Sequence, residues 1–445
     1  MKTFQLLVAN TLIANVTNNF LWFALTFWVY LETRSVVGSA IIGGGYMLLL
    51  AVSGMFFGTF VDRHRRKASM LLSNALSLAA FVLAGAVYVI APAGSLQDLG
   101  HPGFWAFTTL VLGGAIAGNL RSVALATTVT LLVPEDRRDK ANGLVGTVNG
   151  VAFAITSVFS GLAIGLLGMG PSLVIAIVLT AVAAAHLITI RIEEDAPEPI
   201  EGDPSIIDVA GSIRAVRIVP GLLALLLFST FNNFLGGVFM ALIDPYGLTI
   251  MSVEAYGVLL GLSSLGFIIG GIAVARRGLG ANPVRTLLLV NAVLWGVTIA
   301  FPIVSAIVPL AIGFFVYMML IPVAEASEQT IIQKVVPLPE QGRVFGFAQS
   351  LETAASPITA FMIGPIAQFW VIPFMTDGAG AAAIGTWFGV GPERGMALIF
   401  IVSGAIGLLV TLLALRSTSY RKLSARYAAV PTRDDRDAGL PVPAG

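Results

Sequence analysis

Gly58-Thr-Phe-Val-Asp62-Arg63-His64-Arg65-Arg66-Lys67 is the stretch whose reading decides the fold. Hydrophobic runs long enough to cross a bilayer flank it on both sides. A very short turn therefore holds one acid, four basic side chains and a histidine. Such a turn cannot lie in hydrocarbon, where a charge at a helix centre costs about 2.5–3.5 kcal/mol. Lys and Arg collect in cytoplasmic loops, so the turn faces the cytoplasm. Asp62 closes the preceding helix, where a carboxylate is poorly placed against the helix dipole and needs a partner from elsewhere. A neighbouring helix N-terminus or an arginine would serve. A bond made in only one conformation is a latch; the blander alternative is that the basic loop merely sets topology.

Composition agrees. The chain has 445 residues, 57% of them hydrophobic and only 11% charged, with a mean hydropathy of +0.90. That charge density is less than half of what a soluble surface carries. A net charge of +1 hides a strong asymmetry. Almost all of the 25 Lys and Arg fall in alternate loops and the C-terminal tail, leaving Arg34 and Arg394 on the other side and Arg121 inside a helix. Both termini are therefore expected in the cytoplasm. The basic residues are dispersed among loops, which argues against a nucleic-acid partner. With no cysteine there is no disulfide framework, thiolate chemistry or thiol metal site. The first span follows a single Lys without a small-residue cleavage site and is read as retained.

Six spans are predicted before residue 191: Phe4–Leu31, Gly38–Val61, Ala68–Ile90, Phe104–Val133, Ala141–Leu167 and Ser172–Ile190. Residues 193–204, rich in Glu, Asp and Pro, read as a solvated linker. Ile206–Val216 has the pattern of a short amphipathic helix on the membrane surface. Spans 7 to 12 follow at 218–243, 254–275, 285–303, 306–335, 343–372 and 394–415. The expected division is thus residues 1–190, a linker 191–217, residues 218–416, and a charged tail 417–445 that reads as disordered. The halves also repeat. Asn18-Asn19-Phe20 recurs as Asn232-Asn233-Phe234, Gly58 as Gly271 before Arg276-Arg277, and Leu132-Val133-Pro134 as Val335-Val336-Pro337. Two parallel six-helix repeats place a substrate path at mid-membrane between them.

Val61-Asp62-Arg63-His64-Arg65-Arg66-Lys67, Leu132-Val133-Pro134-Glu135-Asp136 and Gly342-Arg343-Val344-Phe345 resemble the matching segments of the macrolide-efflux branch of the major facilitator superfamily. The resemblance covers almost the whole chain. It implies an all-α integral membrane protein with twelve transmembrane helices in two six-helix bundles. It further implies alternating access and proton-driven export of bulky amphipathic compounds from a bacterial cytoplasmic membrane, by a monomer in membrane lipid. The loop motif maps onto Gly58, Asp62, Arg63, Arg66 and Lys67. Three places depart from the wider superfamily pattern. Arg65 stands for a glycine, the arginine of span 4 is Arg121 rather than one near Gly114, and Ser157 stands about where span 5 carries a proline.

Four ionisable residues lie well inside predicted helices: Arg121, Glu325, Glu328 and Glu352. Counted from Pro134 and Pro337, Arg121 and Glu325 both lie roughly 18–20 Å deep at about 1.5 Å per residue, near the middle of a core about 30 Å thick. Glu328 is one turn nearer the cytoplasm on the same face as Glu325. Three acids and one arginine cannot all pair off. The surplus acids must meet water, a proton or an amide, which is the chemistry proton coupling needs. Glu325 and Glu328 are the candidate proton sites, with Arg121 as counter-charge. A static Arg–Glu bridge is the competing role. Glu352 heads a polar face with Gln349, Thr353 and Ser356; it either joins the acids or partners the basic loop. His186, near the end of span 6, reads as packed or interfacial.

A polar stripe on span 1 (Thr11, Asn15, Asn18, Trp22, Thr26) is answered on span 7 by Ser229, Asn232 and Asn233. Such amides cannot face lipid. Asn15, Asn18, Asn19, Trp22, Asn232 and Asn233 are candidate substrate contacts, or hydrogen bonds between helices. Gly54-x-x-x-Gly58 and Gly266-x-x-x-Gly270 read as close-packing positions. No phosphate loop, metal cluster or catalytic triad is present in the sequence, so neither a cofactor nor an enzyme activity is expected. A facilitator or importer of an endogenous solute such as a siderophore, lipid or sugar derivative fits the same topology, as does a membrane sensor or scaffold.

Overall fold

A computed structural model describes residues 2–33, 36–92, 94–194, 209–251 and 253–430. Most of the expected linker and the tail from residue 431 lie outside the described residues, as do the side chains of Phe27 and Ser157. All regular structure among the described residues is helical. The helices are α1 (Lys2–Thr33), α2 (Val36–Arg63), α3 (Arg66–Ile90), α4 (Pro102–Leu132), α5 (Arg138–Leu167), α6 (Met169–Thr189), α7 (Val209–Ile218) and α8 (Leu222–Ile250). They continue with α9 (Val253–Arg277), α10 (Pro283–Ala300), α11 (Ile307–Val335), α12 (Leu338–Ile366), α13 (Ile372–Thr376), α14 (Ala379–Phe388), α15 (Pro392–Arg416) and α16 (Thr418–Ala429). A helix satisfies its own backbone, which is what an apolar chain in lipid requires. The twelve predicted spans correspond to α1–α6, α8–α12 and α15. Among the described residues, eleven helical segments are long and apolar enough to cross a membrane; α1 is not among those eleven.

Three boundaries differ from expectation. Helix α8 runs through Pro245 to Ile250 rather than stopping near residue 243. Helix α12 passes through a π turn, Ala367–Val371, into α13. Pro365 and Pro373 flank that turn; each removes a backbone donor, and a widened turn accommodates the gap. The expected disorder of the tail is corrected over Thr418–Ala429, which is helical. Ser417 caps it by accepting from Tyr420 N at 3.0 Å. Leu423, 2% exposed, packs over Gly221, and Tyr427 receives Lys334 over its ring at 4.6 Å. Three anchored side chains at helical spacing hold this otherwise charged segment.

The chain forms two compact units. Unit 1 comprises residues 1–138, 148–215 and 336–350; unit 2 comprises 139–147, 216–335 and 351–445. Each therefore includes one short segment from the other sequence half. Unit 1 packs around Phe20, Phe81, Phe104 and Phe107, all fully buried. Its α3 and α4 approach closely because Ser73 and Ser77 donate to the carbonyls of Ala117 and Gly114, each at 2.7 Å. Unit 2 packs around Phe239, Tyr246, Phe301 and Phe400. There Gly266 and Gly270 let α9 lie against the backbone of α11 at Phe315 and Met319, as close-packing glycines do. Arg394 ties the α10–α11 turn, donating to Pro302 O, Ile303 O and Ser305 Oγ at 2.7–3.2 Å and lying over Phe388.

Candidate functional site

The three intramembrane acids come together in unit 2. Glu328 Oε2 accepts from Ser229 Oγ of α8 at 2.7 Å. The Glu328 and Glu352 carboxyls come within hydrogen-bonding reach of each other, and Glu325 lies within electrostatic reach of both. A bond between two carboxyl groups needs a proton on one of them, since ionised acceptors only repel. The arrangement is a carboxyl pair able to share a proton, with a third acid beside it. Glu328 and Glu352 are half-buried and Glu325 is exposed. Glu325 is about 100–140° round α11 from its exposed apolar residues Val308 and Ile312. A carboxylate at that depth is tolerated only on a wetted face. Glu352 lies beside the other two acids.

Arg121 is elsewhere. It lies in unit 1, 3% exposed, where Nη2 donates to Asn10 Oδ1 at 2.6 Å and Thr11 Oγ1 at 3.2 Å. Within unit 1 an amide and a hydroxyl of α1 hold the guanidinium, while the acids expected to face it belong to unit 2. Asn10 in turn donates to Ala183 O at 2.8 Å and lies 3.1 Å from Nδ1 of His186, which is half-buried on α6. Beside Arg121 opens a pocket of about 420 Å³, its mouth included, lined by Asn15, Asn18, Asn74, Ser77, Ser122 and Thr180 among others.

The amides divide. Asn15 donates to Asn149 Oδ1 at 2.6 Å while lining the pocket, and Asn18 lies against Gly118, where a side chain would displace it. Asn19 is half-buried outside that pocket's lining. Trp22 meets Phe23 edge to face at 4.9 Å and Tyr46 in a tilted contact at 5.3 Å. Asn232 accepts from Trp295 Nε1 at 2.6 Å, and the Asn233 carbonyl accepts from Ser356 Oγ at 2.7 Å. Those two tie helices of unit 2 together.

The charged turn has the partners its chemistry demanded. Asp62, 1% exposed, accepts from Gly342 N at 2.7 Å, Arg343 N at 2.8 Å and Arg343 Nε at 3.2 Å, all in the second turn of α12. Both an arginine and free backbone donors therefore meet the carboxylate. Gly58 and Gly54 have no side chain because Gly342 and Gly346 cross them backbone to backbone. Arg66 Nη2 reaches Leu338 O at 3.4 Å. The first two amides of α3, on Arg66 and Lys67, donate to Glu194 at 2.8 and 2.9 Å, and Lys67 Nζ donates to Ile188 O at 3.0 Å. Arg63 is half-buried at the end of α2.

Residues 7–360 match the family model of the Major Facilitator Superfamily. The chain belongs to that superfamily. As a member it is a multi-pass membrane transporter, not an enzyme. The transporter is 23% identical over 372 residues to macrolide efflux protein A of Streptococcus pyogenes, covering 80% of this chain and 87% of that protein. Identity to macrolide efflux protein A of Enterococcus faecalis is 24% over 325 residues, 69% of this chain and 94% of the relative. The macrolide-efflux resemblance is thus borne out at low identity. Among solved structures, a bacterial homologue of the iron transporter ferroportin in an outward-facing state superposes with a TM-score of 0.67 at 12% identity, covering 94% and 100% of the two chains. The human organic anion transporter MFSD10 gives 0.65 at 14%, covering 94% and 99%. These structures share the fold.

Four functional candidates of this transporter escaped the sequence. Asn10 stands one position before the predicted stripe of α1, Glu194 lies in a stretch read as linker, and Asn74 is one polar residue among several on α3. The fourth is Asp139, whose Oδ2 accepts from Leu279 N at 2.8 Å beside Gly278 at φ +73°. Around it Gly143 and Thr147 of α5 cross Val274 and Gly271 of α9. Gly271 repeats Gly58, so the same crossing recurs in unit 2 with the carboxylate on the opposite helix.

Proposed function

We propose that this transporter exports bulky amphipathic compounds in exchange for protons, by alternating access. The observation that carries the reading is the Glu325–Glu328–Glu352 group. Its members lie on α11 and α12 among apolar helices, and two of them come within hydrogen-bonding reach of each other, where one proton can be shared. A site that holds a proton beside a further acid can load and release it as its surroundings change. Asp62, with Gly58, Arg66 and Lys67 around it, would form a latch whose bonds hold in one state and break in the other. The distribution of Lys and Arg supports a cytoplasmic membrane with both termini inside, and nothing in the reading requires more than one copy. Identity to the macrolide efflux proteins supports export of a lipophilic cargo.

The test uses everted vesicles energised to an acidic interior, with a quenched amine dye reporting the gradient. Adding erythromycin to vesicles carrying the wild-type protein is expected to release protons and relieve quenching. Glu328→Gln should abolish the response while the protein remains in the membrane. Erythromycin accumulation that is indifferent to collapse of the gradient would sink proton antiport, and the absence of any transport would sink the exporter.

A further inference from the structure

Among the described residues of unit 1, Arg121 is a buried cation without a counter-ion. Its Nη2 is satisfied by Asn10 and Thr11, but Nε and Nη1, which carry three N–H bonds, are buried and meet no acceptor. Asn74, 5% exposed, is in the same condition: its Nδ2 is buried and unpartnered. Both residues line the same pocket in unit 1, together with Asn15, Asn18 and Ser77. The Ser73–Ala117 and Ser77–Gly114 bonds fix α3 against α4 and so set Asn74 about one turn from Arg121. Buried donors are ordinarily paired, and a buried guanidinium is ordinarily paired with a negative charge. Here the two unpartnered groups supply only donors and a full positive charge.

We propose that this pocket is a subsite for an anionic group, the carboxylate of an amphipathic compound or a small inorganic anion. A neutral guest would supply acceptors but leave the charge uncompensated, and a cation would be repelled. An anion satisfies the guanidinium and the amide at once, with charge-assisted bonds. Gly118 contributes by leaving room for Asn18 at the pocket wall, where any side chain would push it aside. The inference deepens the transporter reading above by naming one chemical group of a cargo or co-transported ion.

The test is binding to the purified full-length protein in lipid nanodiscs, by calorimetry and by thermal unfolding. The probes are sodium decanoate, decanamide, sodium chloride and inorganic phosphate. Decanoate is expected to bind saturably and raise Tm, and decanamide to do neither. Arg121→Gln should raise the decanoate Kd at least tenfold. Asn74→Asp places a carboxylate beside Arg121 and should abolish anion binding while Tm stays level or rises, so a failure of Arg121→Gln to fold leaves the question decidable. If chloride or phosphate binds and decanoate does not, with the same dependence on Asn74→Asp, the subsite stands and its occupant is the inorganic ion. Equal binding of decanoate and decanamide, no saturable binding of any anion, or an unchanged Kd in Asn74→Asp overturns it. Erythromycin export that persists without anion binding sinks the subsite alone, whereas anion binding without export of any probe sinks the transport reading alone.

Discussion

Replacing Asp62 with asparagine should loosen the α2–α12 crossing by an amount that can be worked out from its bonds. The carboxylate takes two backbone donors and one guanidinium donor at 2.7–3.2 Å. Hydrogen bonds to a charged group contribute about 1.5–3 kcal/mol each, neutral ones about 1 kcal/mol. Asparagine keeps one acceptor and turns its own N–H₂ toward a second donor. One bond is lost outright, and the others, including the one from Arg343, lose the charge of their acceptor. A loss of about 3 kcal/mol follows, or roughly 150-fold in the equilibrium between packed and parted helices. Arg343→Gln removes only the guanidinium arm and should cost about 1.5 kcal/mol, near tenfold.

The natural chain has no cysteine, which makes a direct assay available. Ser350 is buried at the same crossing, with its hydroxyl against Gly54 and without a hydrogen-bond partner. Ser350→Cys therefore installs a single thiol under α2 with little disturbance. Its reaction with a small water-soluble maleimide reports the fraction of time the crossing is open, provided reclosing outpaces labelling. Asp62→Asn should accelerate labelling by about two orders of magnitude and Arg343→Gln by about one. Labelling within twofold of the Ser350→Cys parent, or a larger effect from Arg343→Gln than from Asp62→Asn, would refute the assignment of the carboxylate as the main bond.

Two further outcomes test the parts the sequence did not disclose. Asp139→Asn should weaken the single bond to Leu279 N and cost about 1 kcal/mol, visible as a small fall in the tryptophan-detected Tm and smaller than that of Asp62→Asn. A fall equal to the Asp62 variant's would show that the two carboxylates are equivalent. Leu423→Ala should detach α16 by removing its buried anchor, at a cost of about 2–3 kcal/mol, seen as faster proteolysis after Arg416. Unchanged proteolysis would mean that the Ser417 cap and the Lys334–Tyr427 contact suffice to hold the helix.

What the sequence disclosed was set by range. Each span is a local property, because twenty apolar residues need no knowledge of their neighbours to demand a bilayer. The same holds for the placement of charge, which marked Arg121, Glu325, Glu328 and Glu352 as out of keeping with their helices. Partners are not local. Asp62 was legible as a carboxylate in need of donors, but Arg343 lies 281 positions away and no pattern names it. For Arg121, charge is the only currency visible along the chain and points to an acid; that Asn10 and Thr11 hold one of its nitrogens is a matter of folding that no local pattern names. Helix α16 was hidden because Tyr420, Leu423 and Tyr427 are its few large apolar residues amid basic ones.

The repeat shows most plainly what a sequence comparison of the two halves could and could not see. Gly58 and Gly271 keep their places because a helix crosses each at backbone distance, a requirement no other residue meets. The aspartate of the first motif has no copy after Gly271, where Arg276 and Arg277 stand. Yet a carboxylate is present at the second crossing: Asp139 supplies it from the crossing helix and accepts Leu279 N just beyond the end of α9. At the first crossing the acid ends α2 and the donors belong to α12; at the second, the acid begins α5 and the donor follows α9. Each junction presents backbone N–H groups to the crossing helix, and an acid on either partner can accept them. The glycine is tied to one helix by sterics, whereas the carboxylate is tied only to the junction, so the repeat preserves the glycine by position and the acid by geometry.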